Sequence, residues 1–335
     1  MKNNKLHPGI LSILAVALTL ASPAKGQSAG EKLSWTNPVS DSIFMGDPFM
    51  LLHNGRYYLY GTTSSGTGFK CWSSADMNHW KSEGFVYHET ADSWGKGNYW
   101  APEVYYHDGL FYMAYSCNGK DTTNNRMLLC LAKSSSPTGP FKDVKAPWFD
   151  PGYSCIDAHI FFDDDGKIYL YYDKVGYEGT WPDGHLFGYI FCRKLDKDLD
   201  PISDPVFCSK AEQPWEHPFS DRSRCNEGCS VIKHNGIYYM TYSANHYQDP
   251  YYGIGYSTAT SPFGPWTKYA GNPLIGMDEE AGIYGPGHNS FVTSPDSSEM
   301  YIVYHTHLSK TNTRRWVNVN RVYFDSAGRL NVLKN

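Results

Sequence analysis

One pattern recurs five times along the 335 residues. The stretch DPFMLLHNGRYYLYGTT (47–63) alternates apolar and polar residues, breaks at Asn-Gly, then alternates again with aromatic residues. EVYYHDGLFYMAYS (103–116), DAHIFFDDDGKIYLYYD (157–173) and EGCSVIKHNGIYYMTYS (227–243) repeat it, and HNSFVTSPDSSEMYIVYH (288–305) is a looser copy with a longer turn. Alternation of period two gives a strand one buried face, and Asn-Gly or Asp-Gly supplies the positive φ of a tight hairpin turn. Each copy is a predicted β-hairpin, turning at Asn54, Asp108, Asp165, Asn235 or Asp296.

Further strand-like runs lie between the hairpins, among them KCWSSADMNHWKSEG (70–84), LLCLAKSSSPTGPFKD (128–143) and GIGYSTATSPFGPWTK (253–268). The last two share a Ser-Pro-x-Gly-Pro-aromatic element, a second repeat in phase with the first. A unit of about four strands recurring roughly every 50 to 70 residues, without helical periodicity, is the sequence signature of a propeller blade. The prediction is an all-β chain folded as a five-bladed β-propeller. An immunoglobulin-type sandwich is the structural alternative, but it exhausts its strands within about 100 residues and predicts no in-phase repeat. No Pro, Gly or Ser-rich linker divides residues 27–335, so a single domain is expected there.

The first residues carry Lys2 and Lys5, an apolar run from Ile10 to Ala21, and small residues at Ala24 and Gly26. That is the layout of a secretory signal peptide, expected over 1–26, and the run is too short for a stable membrane span. The rest of the chain is expected to be exported, to a periplasm or beyond the cell. A net charge of −5 with both signs interspersed leaves no basic stripe for nucleic acid. The 27 Tyr, 16 Phe and 10 Trp suit strand cores, and they also suit stacking against sugar rings. Eight cysteines are scattered without Cys-x-x-Cys knuckles, which argues against zinc. Buried free thiols are the expectation, with a Cys225–Cys229 bridge as the minor alternative.

Just before the inner strand of each repeat stands an ionisable residue: Asp47, Glu103, Asp157, Glu227 and His288. Four of them precede their turn residue by seven or eight positions and Glu103 by five. Inner strands of a propeller line its axis, so these groups would meet in one cavity. Converging carboxylates repel, and one of them would hold its proton near neutrality. That arrangement suits glycoside hydrolysis, in which one carboxylate activates water or attacks and another protonates the leaving oxygen. The alternative is that the acids cap strands or hold a structural cation.

At these residues the chain resembles glycoside hydrolase family 43. The resemblance rests on GDPFM (46–50), YWAPEVYYHDGLFYMAYS (99–116), IDAHIFFDDDGKIYLYY (156–172), EGCSVIKHNGIYYMTYSAN (227–245) and GPGHNSF (285–291) in the family's order. It implies an inverting, five-bladed enzyme that releases arabinofuranose or xylose from plant polysaccharides. Carried over residue by residue, it makes Asp47 the general base, Glu227 the general acid, and Asp157 the acid that tunes and orients Glu227. It makes Trp100 a wall of the sugar subsite and Arg321 a substrate contact. His288 matches a channel histidine that in relatives approaches a structural Ca²⁺; no cofactor is required for the chemistry. The partner it implies is an oligo- or polysaccharide. Two departures stand out: Cys229 replaces a frequent Pro after Glu-Gly, and the chain ends at Asn335 without the accessory β-sandwich of many family xylosidases.

Other functions stay open at this level. An endo-acting arabinanase would differ mainly in an open cleft. A related propeller family cleaves fructosides with retention, though Trp-Ala-Pro-Glu and Gly-His-Asn-Ser fit family 43 better. A non-catalytic glycan-binding propeller has no need of three converging acids.

Overall fold

A computed structural model of the chain describes residues 33–120, 126–176, 186–216 and 223–333. The signal peptide expected over 1–26 lies outside the described residues. What is described is built almost wholly of antiparallel strands, with one 3₁₀ turn at Pro214–Glu216.

Among the described residues, twenty strands follow one another as five groups of four. The first group is β1 (Gly46–His53), β2 (Arg56–Thr62), β3 (Gly68–Ser74) and β4 (Lys81–His88). The second is β5 (Trp100–His107), β6 (Leu110–Asn118), β7 (Met127–Ser134) and β8 (Lys142–Lys145), and the third β9 (Cys155–Phe162), β10 (Ile168–Gly176), β11 (Leu186–Leu195) and β12 (Val206–Ser209). The fourth is β13 (Ser223–His234), β14 (Ile237–Ala244), β15 (Gly253–Ala259) and β16 (Thr267–Lys268). The fifth is β17 (Gly287–Thr293), β18 (Met300–His307), β19 (Arg315–Phe324) and β20 (Leu330–Val332).

Each group is an up-and-down meander, but among the described residues the sheets number four rather than five. The third and fourth groups are one eight-stranded sheet, because β11 and β13 run parallel and pair over Leu186–Gly188 and Ser223–Cys225. The first hairpins are as the sequence predicts: Asn54-Gly55, Asp108-Gly109 and Asn235-Gly236 all have positive φ at both positions, the signature of type I′ turns. In the other two the left-handed residue is Gly166 and Ser297, one place after the predicted Asp165 and Asp296. There a longer turn closes on Asp163 or Ser294, whose amides reach Lys167 O across three residues and Glu299 O across four.

The alternation along each strand places its apolar face against the next group. Five core clusters result, each between consecutive groups: Tyr60, Phe69 and Tyr115 pack the first on the second, and Leu129, Leu170 and Tyr172 the second on the third. Tyr171, Cys192 and Met240 join the third to the fourth, and Ile254, Ile302 and Tyr304 the fourth to the fifth. Met50, Leu59, Val303 and Val319 join the fifth back to the first. Burying an aliphatic or aromatic side chain of this kind stabilises a fold by about 1.5–3 kcal/mol relative to exposure, so no group could keep its faces dry alone.

All eight cysteines are free and buried; no Cys225–Cys229 bridge forms. Cys229 is part of the core between the third and fourth groups, and Cys225 receives the Ser223 hydroxyl.

Candidate active site

The inner strand of every group carries the same irregularity. The pairing slips by one residue after Gly46, Trp100, Ile156, Glu227 and Gly287, and the residue that follows has a left-handed φ: Asp47 (55°), Ala101 (45°), Asp157 (57°), Gly228 (55°) and His288 (44°). A bulge turns a side chain off the pleat and leaves one amide without its ladder partner. Each orphaned amide is met from the preceding group. Ala101 N–H donates to Thr62 Oγ1 (2.9 Å), Asp157 N–H to Ser116 Oγ (3.0 Å), Gly228 N–H to Asp173 Oδ2 (2.8 Å) and His288 N–H to Ser243 Oγ (2.7 Å). Asp47 N–H donates to His305 Nδ1 (3.2 Å), which joins the last group to the first.

These bulges bring Asp47, Asp157, Glu227 and His288 together, as the sequence predicts. His288 Nδ1 lies 3.4 Å from Asp47 Oδ1 and 3.9 Å from Asp157 Oδ2. Asp157 and His288 are buried, whereas Asp47 and Glu227 stay partly open to solvent. Gly228 is required between Glu227 and the ring behind it: its φ is left-handed, and a Cβ there would sit 2.7 Å from His288 Nδ1.

The surroundings drive the acids apart. Burial works against the charge of Asp47, but the Arg315 guanidinium (Nη1 to Oδ1, 3.0 Å), His288, His305 and a 2.6 Å bond from Thr62 hold its carboxyl well below the usual carboxylate range. Glu227 is pushed up to about 7 by burial and by the charge of Asp157, against a 2.8 Å hydrogen bond from the Tyr252 hydroxyl. Asp157 rises to about 6 through burial, with His288 opposing and Asp47 adding to the rise. Burial opposes protonation of His288, yet Asp47 and Asp157 bring it above its ordinary value. His305 is pushed well below its own by burial and Arg315, consistent with Nδ1 accepting the Asp47 amide. At neutral pH the site therefore holds one firmly ionised carboxylate and one carboxyl poised to give up a proton.

Three sequence expectations fare differently. Glu103 does not stand at the bulge: the bulged position of the second group is Ala101, seven residues before its turn, and Glu103 sits further along the strand. There it accepts His159 Nδ1 at 2.9 Å and the Tyr105 hydroxyl. Beyond this buried cluster a cavity of about 530 Å³, lined by Phe49, Tyr106, Phe162 and Ile232, opens at the far end of the inner strands. Arg321 is not brought to the acids either. It pairs with Glu299 (2.9 Å), reaches Leu33 O and covers the Trp35 ring, six residues along β19 from Arg315, about 20 Å of extended chain. Trp100, half-buried, stands beside Ala101, whose amide bonds to the Thr62 hydroxyl that in turn bonds Asp47.

The donor set at His288 does not fit a directly held cation. Its Nδ1 faces two carboxylates that favour the protonated ring, a poor ligand, and among the described residues no three His, Cys, Asp or Glu side chains are grouped to hold a metal.

The family model "Glycosyl hydrolases family 43" matches residues 35–329. The chain belongs to that family. Family 43 enzymes hydrolyse O-glycosyl bonds, so the chain is a glycoside hydrolase with a carbohydrate substrate. Its structure is similar to the crystal structure of a thermostable family 43 glycoside hydrolase, with a TM-score of 0.84, 43% identity, and 90% of this chain covering 96% of that one. Among curated sequences it is similar to a β-D-galactofuranosidase of Aspergillus niger, 29% identical over 98% of this chain and 95% of the relative. It is also similar to an extracellular exo-α-(1→5)-L-arabinofuranosidase of Streptomyces avermitilis, 25% identical over 97% of this chain and 68% of the relative. No helix among the described residues is long and apolar enough to cross a membrane.

Proposed function

We propose that this family 43 chain is an exported, inverting glycosidase that releases arabinofuranosyl or xylosyl residues from plant cell-wall polysaccharides. The observation that carries it is the split between Asp47, held ionised by Arg315, and Glu227, held protonated to about pH 7, within one cluster around His288. Asp47 takes a proton from the attacking water, and Glu227 protonates the departing oxygen, so that the anomeric carbon inverts in one step. Asp157 keeps Glu227 protonated by its charge. Trp100 forms a wall beside Asp47. Arg315, rather than Arg321, is the cation that approaches substrate. These roles need side chains alone, and no step passes through a metal.

The reading includes a five-bladed propeller over residues 27–335. Five hydrophobic cores between consecutive strand groups support it, as do five bulged amides each bound by the preceding group, with the last group returning to the first. The fused sheet then joins two neighbouring blades at one edge. The signal-peptide pattern over 1–26 and the extracellular relative support export.

Both relatives act, by name, on furanosides, which makes an α-L-arabinofuranoside the first substrate to try. The test compares Asp47→Ala and Glu227→Ala on an arabino-oligosaccharide and on a nitrophenyl arabinofuranoside, with the xyloside alongside. Both variants are expected to lose roughly 10²–10⁴-fold on the oligosaccharide. Only Glu227→Ala should be spared on the nitrophenyl substrate, whose leaving group needs no proton. Equal losses of Glu227→Ala on both substrates would remove it as the acid.

A further inference from the structure

The position that answers each bulged amide carries Thr62, Ser116, Ser243 or His305 in four groups, all uncharged hydrogen-bonding side chains. In the third group it carries Asp173, a carboxyl with no exposed surface. Its Oδ2 accepts the Gly228 amide at 2.8 Å. Its Oδ1 is buried and, among the described residues, receives no N–H or O–H donor. Within hydrogen-bonding reach of this carboxyl is that of Asp157. Two ionised carboxylates cannot remain in contact in a buried site without a cation between them. A buried oxygen with no donor carries a desolvation penalty as well. A single proton on Asp173 removes both difficulties.

We propose that Asp173 is a positioning residue that works as a neutral acid: Oδ1–H donates to Asp157 while Oδ2 accepts the Gly228 amide. One carboxyl thereby fixes the backbone beside Glu227 and keeps Asp157 an anion. The proposal rests on the reading of Glu227 as the general acid, since Asp157 is the charge that most raises Glu227. Asp173 itself is raised well above the usual carboxylate range by burial and by Asp157, with the Gly228 amide opposing and Glu227 adding. The thiols of Cys155, Cys225 and Cys229 also feel any charge it carries. Glu227 faces Asp157, Tyr252, His288 and Asp47, and of these it is Asp157 that a change at Asp173 reaches.

Two substitutions separate a proton from a charge at this position. Asp173→Asn keeps a neutral donor and an acceptor, whereas Asp173→Ser, the residue of two neighbouring groups, keeps an acceptor for the amide but withdraws the group that reaches Asp157. The readout is the alkaline limb of kcat/KM on an oligosaccharide, which falls as Glu227 ionises. Asp173→Asn should leave the limb where it is. Asp173→Ser should move it down by about one pH unit, a tenfold loss on that limb. A shift in Asp173→Asn as large as in Asp173→Ser would mean that Asp173 acts as a charge, and no shift in Asp173→Ser would mean that it does not act on Glu227; either overturns the proposal.

A second readout does not depend on hydrolysis. At about pH 8, where ordinary carboxyls are ionised, Glu227→Gln should retain the infrared carbonyl band of one protonated carboxyl. Adding Asp173→Asn should abolish it. Absence of the band, or its survival in the double variant, overturns the proton assignment. A band that behaves as expected in a chain whose turnover ignores Glu227 leaves the assignment standing and removes the reading of Glu227 instead.

Discussion

The Tyr252 hydroxyl offers a direct handle on the proton of Glu227. It donates to Glu227 Oε1 at 2.8 Å, and its ring lies nearly parallel to His305, with centroids 5.8 Å apart and planes at 12°. Tyr252→Phe therefore keeps the packing and removes one hydrogen bond to the carboxylate. Hydrogen bonds to charged groups contribute about 1.5–3 kcal/mol, and 1.36 kcal/mol corresponds to one pKa unit. The protonated form of Glu227 also loses some of this interaction, so the net rise is about one unit above the present value of about 7. A general acid must be protonated, and activity is lost as pH rises through its pKa. The alkaline limb of kcat/KM, which reports the free enzyme, should move up by about one pH unit in Tyr252→Phe. The substrate must be an oligosaccharide, because an activated aryl leaving group hides the proton donor. A limb that stays in place or moves down would refute the assignment of the acid, whatever happens to the maximal rate.

Other consequences follow from the same geometry. Arg315→Met removes the cation that most lowers Asp47; a base works only above its pKa, so the acidic limb of kcat/KM should move up by about one unit or more. Glu227→Gln should stabilise the fold at pH 8 relative to pH 4.5. The native glutamate keeps its proton to about 7 while the unfolded chain ionises near 4.5, a difference of about 3 kcal/mol that glutamine escapes. Denaturant midpoints at the two pH values measure it, and an equal effect of the substitution at both would contradict it. Arg321→Ala should leave KM unchanged yet lower stability by about 1–2 kcal/mol, through loss of the Glu299 pair and the contacts with Trp35 and Tyr301; a raised KM would return Arg321 to the substrate site.

The hairpins were legible because Asn-Gly and Asp-Gly turns are local chemistry, and the two misplaced turns are those where a longer loop, of three residues in one and four in the other, shifts the left-handed position by one. The converging acids were legible from their spacing to those turns. The same spacing of seven points to Ala101, and it was the charge of Glu103 that drew attention away from it. The answering groups were also written in the chain, as the residue after an aromatic or glycine at the end of each second strand: YGT, AYS, YYD, TYS and VYH. Their meaning depends on contact with the next group, up to 258 positions away for His305 and Asp47. Arg315 and Tyr252 carry no repeat signal. Arg315 and Arg321 share a strand and a charge, and only the register of β19 against β18, with Arg315 opposite His307 and Arg321 opposite Tyr301, separates them. The fusion of two groups into one sheet has no local signature, since it depends on how two strand ends happen to approach.

In the proposed reaction, water attacks with the help of Asp47 while Glu227 protonates the opposite side of the bond. The anomer first released from an α-L-arabinofuranosyl oligosaccharide, followed by proton NMR before mutarotation, tests this in a single turnover assay. The prediction is the β-anomer, from one inverting displacement. Release of the α-anomer would require a covalent intermediate, make one of these carboxylates a nucleophile, and contradict the roles given to Asp47 and Glu227.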